Sequence, residues 1–199
     1  MGVSSSYKSL VLASASPRRI ELLTRSGVPF TAVESGVAEV REPLEPAARF
    51  ALRMARAKAA AVSAQMPHAL VLGADTVVEI EGDVLGKPRD RADARRMITL
   101  LAGREHRVMT GFALFRARSM LEEQVVTSTV EFRPLGQAEI EQYIATDEPY
   151  DKAGAYGVQG LGRVLIARVE GSLANVMGLP IEEVLDALAR QDVVAARAC

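Results

Sequence analysis

Cysteine occurs once in 199 residues, as the final residue Cys199, which excludes a disulfide scaffold and a cysteine-based zinc site. Tryptophan is absent, and aromatic residues make up only 5% of the chain. No Lys/Arg run with interleaved aromatics appears, and the net charge is −1 with a pI near 6.2. A surface for polymeric nucleic acid is therefore not expected, although a few cations in a cleft could still hold a small anion. Apolar runs such as Ala69–Leu72 and Val164–Ala167 are far too short to span a bilayer. The polar stretch Met1–Ser9 lacks the apolar core of a signal peptide. These absences lead to the expectation of a cytoplasmic protein without a membrane partner.

Lysine is also scarce. Of 24 basic residues only four are lysine: Lys8, Lys58, Lys87 and Lys152. Such a bias usually reflects genome composition, but a compact ammonium and a planar guanidinium are not interchangeable, so each remaining lysine is a candidate for a specific role. Lys8 reads as an exposed terminal residue. What is abundant is ordinary globular material, with 49% hydrophobic and 25% charged residues, and the length suits one domain spanning residues 1–199.

Apolar patterning and turn signals predict strands at Lys8–Ala13, Phe30–Val33, Ala69–Ile80, Arg107–Phe115, Glu123–Phe132 and Val164–Val169. Helices are predicted at Ser14–Ser26, Ala47–Gln65, Asp90–Leu101, Gln137–Ala145 and Pro180–Gln191, with Ser16 and Asp90 as caps. Asp147–Gly162 reads as a loop. Helices alternate with strands, but antiparallel hairpins interrupt the alternation, so the expected class is mixed α/β.

Five segments could carry chemistry. Ser14-Ala-Ser16-Pro-Arg18-Arg19 lies at a strand-to-helix junction, where arginines oppose the helix dipole unless an anion shares the spot; the plainer reading is a capped helix with solvated arginines. Asp75, in Gly73-Ala-Asp75-Thr76, follows an apolar strand segment and is costly to bury unless paired, hydrogen-bonded or bound to metal. Lys87, in Gly86-Lys87-Pro88-Arg89-Asp90, could be brought near Asp75 by an intervening hairpin. Lys58 shares a helix face with Met54 and Val62; it either snorkels or projects its ammonium into a cleft. Four of the 15 glycines fall between Gly154 and Gly162, which suggests close backbone approach to a ligand or a mobile connector. Gln159 there carries both donor and acceptor groups and could read a base edge. Neither a Gly-x-x-x-x-Gly-Lys-Ser/Thr loop nor a Gly-x-Ser-x-Gly elbow occurs. His68 and His106 fall outside these segments and read as structural or exposed.

Taken together, these segments resemble the Maf family of nucleoside triphosphate pyrophosphatases. The matching residues are Leu12-Ala-Ser14-Ala-Ser16-Pro-Arg18-Arg19-x-Glu21, Lys58-Ala, Gly73-Ala-Asp75-Thr76-Val, Lys87-Pro, Asp151-Lys152-Ala-Gly154-Ala-Tyr156-Gly157-x-Gln159-Gly160, Gly171-Ser172 and Gly178-Leu-Pro180. The resemblance implies a mixed-sheet, inosine-triphosphatase-like α/β fold with two lobes around a central cleft, usually dimeric. It implies metal-dependent hydrolysis of a nucleoside triphosphate to the monophosphate and pyrophosphate, in the branch acting on dTTP and UTP, which would clear non-standard or excess nucleotides. It also implies Asp75 as proton acceptor and Arg18, Thr76 and Gln159 as specificity positions. Where the family often has Val-Asp-Glu, this chain has Val37-Ala38-Glu39, leaving Glu39 to join Asp75 as ligands of Mg²⁺ or Mn²⁺. Arg18, Arg19, Lys58 and Lys87 would neutralise the triphosphate, Ser14 would hydrogen-bond a phosphate, and Lys152 and Gln159 would frame the base. Two alternatives remain: a pyrophosphatase for modified nucleotides such as 7-methyl-GTP, and a non-enzymatic nucleotide-binding regulator of cell division. A carboxylate at position 75 disfavours the regulator, since it would repel phosphate unless a metal intervenes.

Overall fold

Leu10–Leu12 forms a short, fully buried strand, β1, with β2 (Phe30–Ala32) on one side and the long strand β3 (Leu70–Ile80) on the other, both parallel to it. The computed structural model describes residues 9–193, so Lys8 and Cys199 lie outside the described residues. β3 turns at Glu81-Gly82 into β4 (Asp83–Leu85) and pairs antiparallel along its other edge with β5 (Glu105–Arg116). β6 (Ser119–Phe132) and β7 (Ile166–Glu170) continue the antiparallel half, giving a seven-stranded mixed sheet of order β2-β1-β3-β5-β6-β7 with β4 attached to β3.

Helix α2 (Ala47–Gln65) covers one face of the sheet. Its Ala51, Met54, Ala55, Ala59 and Val62 pack on Val71, Val77, Met109 and Ala113. The opposite face is covered by two separate groups. Near β1 lie α1 (Pro17–Arg25) and α6 (Ile181–Arg190), packed on Leu72, Ala74, Phe112 and Leu114. Towards the other end lie α3 (Arg91–Leu101) and α4 (Gln137–Ile144), packed on Val78, Ile80, Val108 and Phe132. No helix among the described residues is long and apolar enough to cross a membrane.

Several local expectations are corrected. Ser16 holds the N-cap position of α1, but its side chain caps nothing; its own N–H instead donates to Ser14 Oγ at 3.2 Å. The β5–β6 turn is tighter than its polar sequence suggests, with only Ala117 and Arg118 between the strands, at φ 48° and 67°. Positive φ at both positions is the type I′ form of a two-residue hairpin turn, and neither residue advertises it. The 147–162 loop holds 3₁₀ turns at Glu148–Asp151 and Ala153–Ala155, and a third, Gly160–Leu165, occupies the predicted start of β7. A one-turn helix, α5 (Leu173–Met177), was not foreseen; Ser172 caps it and Gly178, at φ 116°, ends it.

Candidate active site

The middle of β3 has a gap along one edge. β1 pairs with residues 70–72 and β4 with residues 78–80, while β5 occupies the opposite edge. Among the described residues, none pairs as a strand with residues 73–77 on the β1/β4 side. Side chains alternate faces along a strand, so Asp75 and Thr76 point to opposite sides of the sheet, yet both line the single cleft that opens at this gap. Its volume is about 1140 Å³. Ser14, at the end of β1, and Gly86-Lys87, beyond β4, form its two banks. The hairpin expected between Asp75 and Lys87 is the one that places Lys87 there.

Asp75 and Lys58 meet because α2 lies unusually close to the sheet. A Cβ on Gly73 would lie 2.3 Å from the Ala55 carbonyl and 2.7 Å from the Ala59 amide nitrogen; one on Gly111, paired with Asp75, would lie 2.7 Å from Ala51 C. Gly73 admits the backbone of α2. At that distance Lys58 Nζ reaches Asp75 Oδ1 at 2.6 Å and Glu39 Oε1 at 2.5 Å. Lys58 and Asp75 are each 5% exposed, whereas Glu39 faces solvent. Lys58 thus projects into the cleft and does not snorkel. Burial pushes the Asp75 carboxyl above the usual carboxylate range, against the pull of Lys58 and Arg19. For Glu39, burial acts upwards too, but the Lys58 hydrogen bond and the charges of Lys58, Lys87 and Arg19 outweigh it and hold the carboxyl low.

On the other bank, the start of α1 supplies two arginines with different partners. Arg19 donates from Nε to the Gly178 carbonyl at 2.8 Å, from Nη2 to Thr76 Oγ1 at 3.0 Å and from Nη1 to Ser14 Oγ at 3.5 Å. A guanidinium has five N–H groups, so two of Arg19's remain for a ligand. Arg18 reaches across the cleft and pairs with Asp151 Oδ2 at 2.8 Å. Burial raises the Asp151 carboxyl, but Lys152 and Arg18 together bring it below its ordinary value.

The glycine-rich segment wraps around a protein carboxylate. Glu148 accepts from the backbone N–H groups of Leu161 and Gly162, each at 2.8 Å, and from Tyr143 Oη at 3.2 Å. A Cβ on Gly160 would lie 2.6 Å from Glu148 Oε2 and one on Gly157 3.2 Å from Oε1. These glycines make room for Glu148, and the segment is ordered by it. Gln159 stands exposed at the rim between the two glycines, and Lys152 Nζ donates to the Glu148 carbonyl at 2.7 Å and to Asp151 Oδ1 at 2.5 Å. Gly154 N–H donates to the Gly86 carbonyl at 3.0 Å, tying this segment to the strip that carries Lys87. Beneath it, His106 Nε2 lies 2.7 Å from Tyr156 Oη, and burial lowers the His106 pKa to about 4, so the imidazole is neutral. His68 is exposed.

All ten residues singled out from the sequence line this one cleft: Ser14, Arg18, Arg19, Glu39, Lys58, Asp75, Thr76, Lys87, Lys152 and Gln159. Of the residues given no role by sequence reasoning, Glu148 and Asp151 also line the cleft, whereas Thr110 and Asn175 lie behind it. Glu148 and Asp151 were visible as acids beside the glycine-rich stretch. Thr110, between apolar residues of β5, and Asn175, in the unforeseen α5, gave no signal.

The family model described as Maf-like protein matches residues 9–191. A protein of Moorella thermoacetica named dTTP/UTP pyrophosphatase is 53% identical over 182 residues, covering 90% of this chain and 93% of that protein. A protein of the same name from Anaeromyxobacter sp. (strain Fw109-5) is 50% identical over 185 residues, covering 91% and 88%. Among solved structures, a HAM1 protein from Coxiella burnetii shares the fold at TM-score 0.51 and 17% identity, covering 92% of this chain and 99% of that one.

Proposed function

Because the chain belongs to the Maf family, we propose that its cleft binds a nucleoside triphosphate, with dTTP and UTP preferred, and hydrolyses it to the nucleoside monophosphate and pyrophosphate. The observation that carries this reading is a buried carboxylate, Asp75, held 2.6 Å from Lys58 Nζ in a cleft that also presents Arg18, Arg19, Lys87 and Lys152. Cations alone would suit any polyanion. An acid kept among them, with its carboxyl pushed above the usual range, suits proton abstraction beside a phosphate. The names of the relatives supply the substrate class.

The donor set fits a divalent cation. Asp75 and Glu39 offer hard oxygen ligands whose Oδ1 and Oε1 atoms already converge on one ammonium. Among the described residues no third His, Cys, Asp or Glu joins them, so phosphate oxygens and water would complete the shell. Bound there, Mg²⁺ or Mn²⁺ would neutralise phosphate charge and polarise a phosphoryl oxygen.

The chain's own residues divide the remaining work. Asp75 orients a water and takes its proton as the water oxygen attacks the α-phosphorus. The bond from that phosphorus to the bridging oxygen breaks, and the electron pair leaves with pyrophosphate. Lys58 holds Asp75 in place and, with Arg19 and Lys87, stabilises the charge that develops on the phosphoryl oxygens. Ser14 donates to a phosphate oxygen. Arg18, Lys152 and Gln159 frame the nucleoside at the rim. The reading extends to a homodimer in the cytoplasm, and light scattering on the purified protein checks the dimer. The function itself is tested with a panel of nucleoside triphosphates in Mg²⁺, resolving monophosphate plus pyrophosphate from diphosphate plus phosphate. The second product pair would overturn attack at the α-phosphorus.

A further inference from the structure

The segment between β2 and α2 carries Glu39 to the cleft without the support of a strand or a helix. Among the described residues, the hydrogen bonds that tie residues 37–44 to another element come from α2. Lys58 Nζ takes the Glu39 carboxylate at 2.5 Å, and Arg53 Nη2 donates to the carbonyl of Val40, the next residue, at 2.8 Å. The same Arg53 grips the Glu45 carboxylate, with Nε on Oε1 and Nη2 on Oε2, both at 2.7 Å. One guanidinium therefore holds this segment at residues 40 and 45. It is itself seated over the Phe50 ring, 5.5 Å from the ring centre.

Two costs are met to hold this shape. Glu45 is 4% exposed, and a carboxylate buried to that degree needs a matching cation. The fork of Arg53 supplies two parallel N–H groups, which the single ammonium of a lysine cannot do. The Glu42 N–H adds a third donor to Glu45 Oε2 at 3.2 Å. The second cost lies in the backbone. Residues 42–45 form a turn closed by the Glu45 N–H on the Glu42 carbonyl at 3.2 Å, with Pro43 second and Leu44 third at φ 59°. Positive φ at the third position is the type II pattern, which favours glycine or asparagine. Leu44 is 96% exposed, so packing of its side chain does not offset the strain. Val40 also stands in solvent. The segment thus adds little to the core, and what it delivers is the carboxylate of Glu39.

We propose that Arg53 and Glu45 are positioning residues of the active site. Their ion pair, with the Arg53 contact to the Val40 carbonyl, fixes the backbone so that the Glu39 carboxylate stays on Lys58 at the lip of the cleft. A half-exposed glutamate on a free backbone would spread over many rotamers and be present beside Asp75 only part of the time. The inference rests on the nucleotide reading of the cleft, with Glu39 as part of its machinery.

A double-mutant cycle on kcat/KM for UTP, with the full chain in saturating Mg²⁺, tests it. Arg53→Ala should lose about tenfold, the worth of one charge-assisted hydrogen bond, and Glu39→Gln at least as much. Because Arg53 acts through Glu39, the double variant should lose no more than Glu39→Gln alone; a merely structural Arg53 would make the two losses multiply. A second readout is independent of turnover. The Glu42 amide is protected by Glu45, so its hydrogen exchange should quicken in Arg53→Ala and stay near wild type in Glu39→Gln. Thermal midpoints monitor folding, and rates are taken well below the lowest of them. If Arg53→Ala does not fold, Glu45→Gln against Glu39→Gln closes the same cycle. Multiplying losses, unchanged exchange in the clasp variant, or full activity of either single variant overturns this inference alone. No hydrolysis of UTP by the wild type overturns the nucleotide reading and this inference with it.

Discussion

Lys58 Nζ lies 2.6 Å from Asp75 Oδ1, although one residue comes from α2 and the other from β3, and each is 5% exposed. The pair is asymmetric, because Lys58 also holds Glu39 at 2.5 Å whereas, among the described residues, Asp75 has no second hydrogen-bonded cation. Asp75→Asn leaves Lys58 with a carboxylate partner and should abolish turnover while the fold persists. Lys58→Met leaves a buried carboxylate without its contact and should cost about 3 kcal/mol, as well as more than tenfold in kcat/KM. Urea denaturation at neutral pH checks the order. A larger stability loss for Asp75→Asn would contradict it.

Gly73→Ala should couple stability to activity. The added Cβ meets the α2 backbone, 2.3 Å from the Ala55 carbonyl, and backbone gives way less easily than a side-chain tip. The helix must shift and take Lys58 with it, at a cost of roughly 1–3 kcal/mol or more. Gly86→Ala, with nothing within 4 Å of its Cβ, is the stability control. Equal unfolding midpoints for the two variants would refute the close approach.

Base selection should depend on Gln159 and on the carboxylate that shapes its segment. An amide can donate to a carbonyl and accept from a ring N–H at once, whereas an ionised glutamate only accepts. Gln159→Glu should therefore lower activity on UTP far more than on 7-methyl-GTP. Glu148→Gln loses one of the acceptor oxygens that hold Leu161 and Gly162, and should narrow the UTP-to-GTP ratio of kcat/KM by about tenfold with little change in kcat. The measured ratios decide both; an unmoved ratio would mean that this segment does not read the base.

His106 should give the protein a pH-dependent stability. In the folded state it stays neutral down to about pH 4, against an ordinary value of 6.5. Between these values the unfolded chain binds more protons, so stability present above pH 6.5 is lost as pH falls towards 4. At about 1.36 kcal/mol per pH unit the loss is about 3 kcal/mol. His106→Gln cannot titrate, and its stability profile should be flatter than wild type by that amount across the window. Parallel profiles in denaturant titrations would rule this out.

The parts of this molecule legible in the sequence were those with a local signature. Asp90 was expected to cap α3, and its side chain does accept from the Asp93 N–H at 2.8 Å. The apolar run at Ala69–Ile80 appears as β3, and Pro180 stands at the start of α6. The costs of burying Asp75 and of placing arginines at a helix start are local signatures too, and both residue sets line the cleft. What stayed hidden depends on tertiary partners. Ala117 and Arg118 take positive φ because strand pairing imposes it. Thr110 and Asn175 matter only through neighbours remote in the chain, such as Thr76 and Val108. The helix face of Lys58 was read correctly, but helical spacing could not say that α2 would be drawn close enough for the ammonium to enter the cleft.

The gap beside residues 73–77 has a further consequence for the behaviour of the protein among its own copies. Unpaired strand edges invite other chains to add a strand, which is a common start of aggregation. Here the free edge is confined between β1 and β4, which are in register with the same strand on either side. An extended chain would have to thread between two existing strands to reach it, whereas a compact ligand needs only to enter from the side. The arrangement exposes backbone to a small molecule while denying it to another polypeptide.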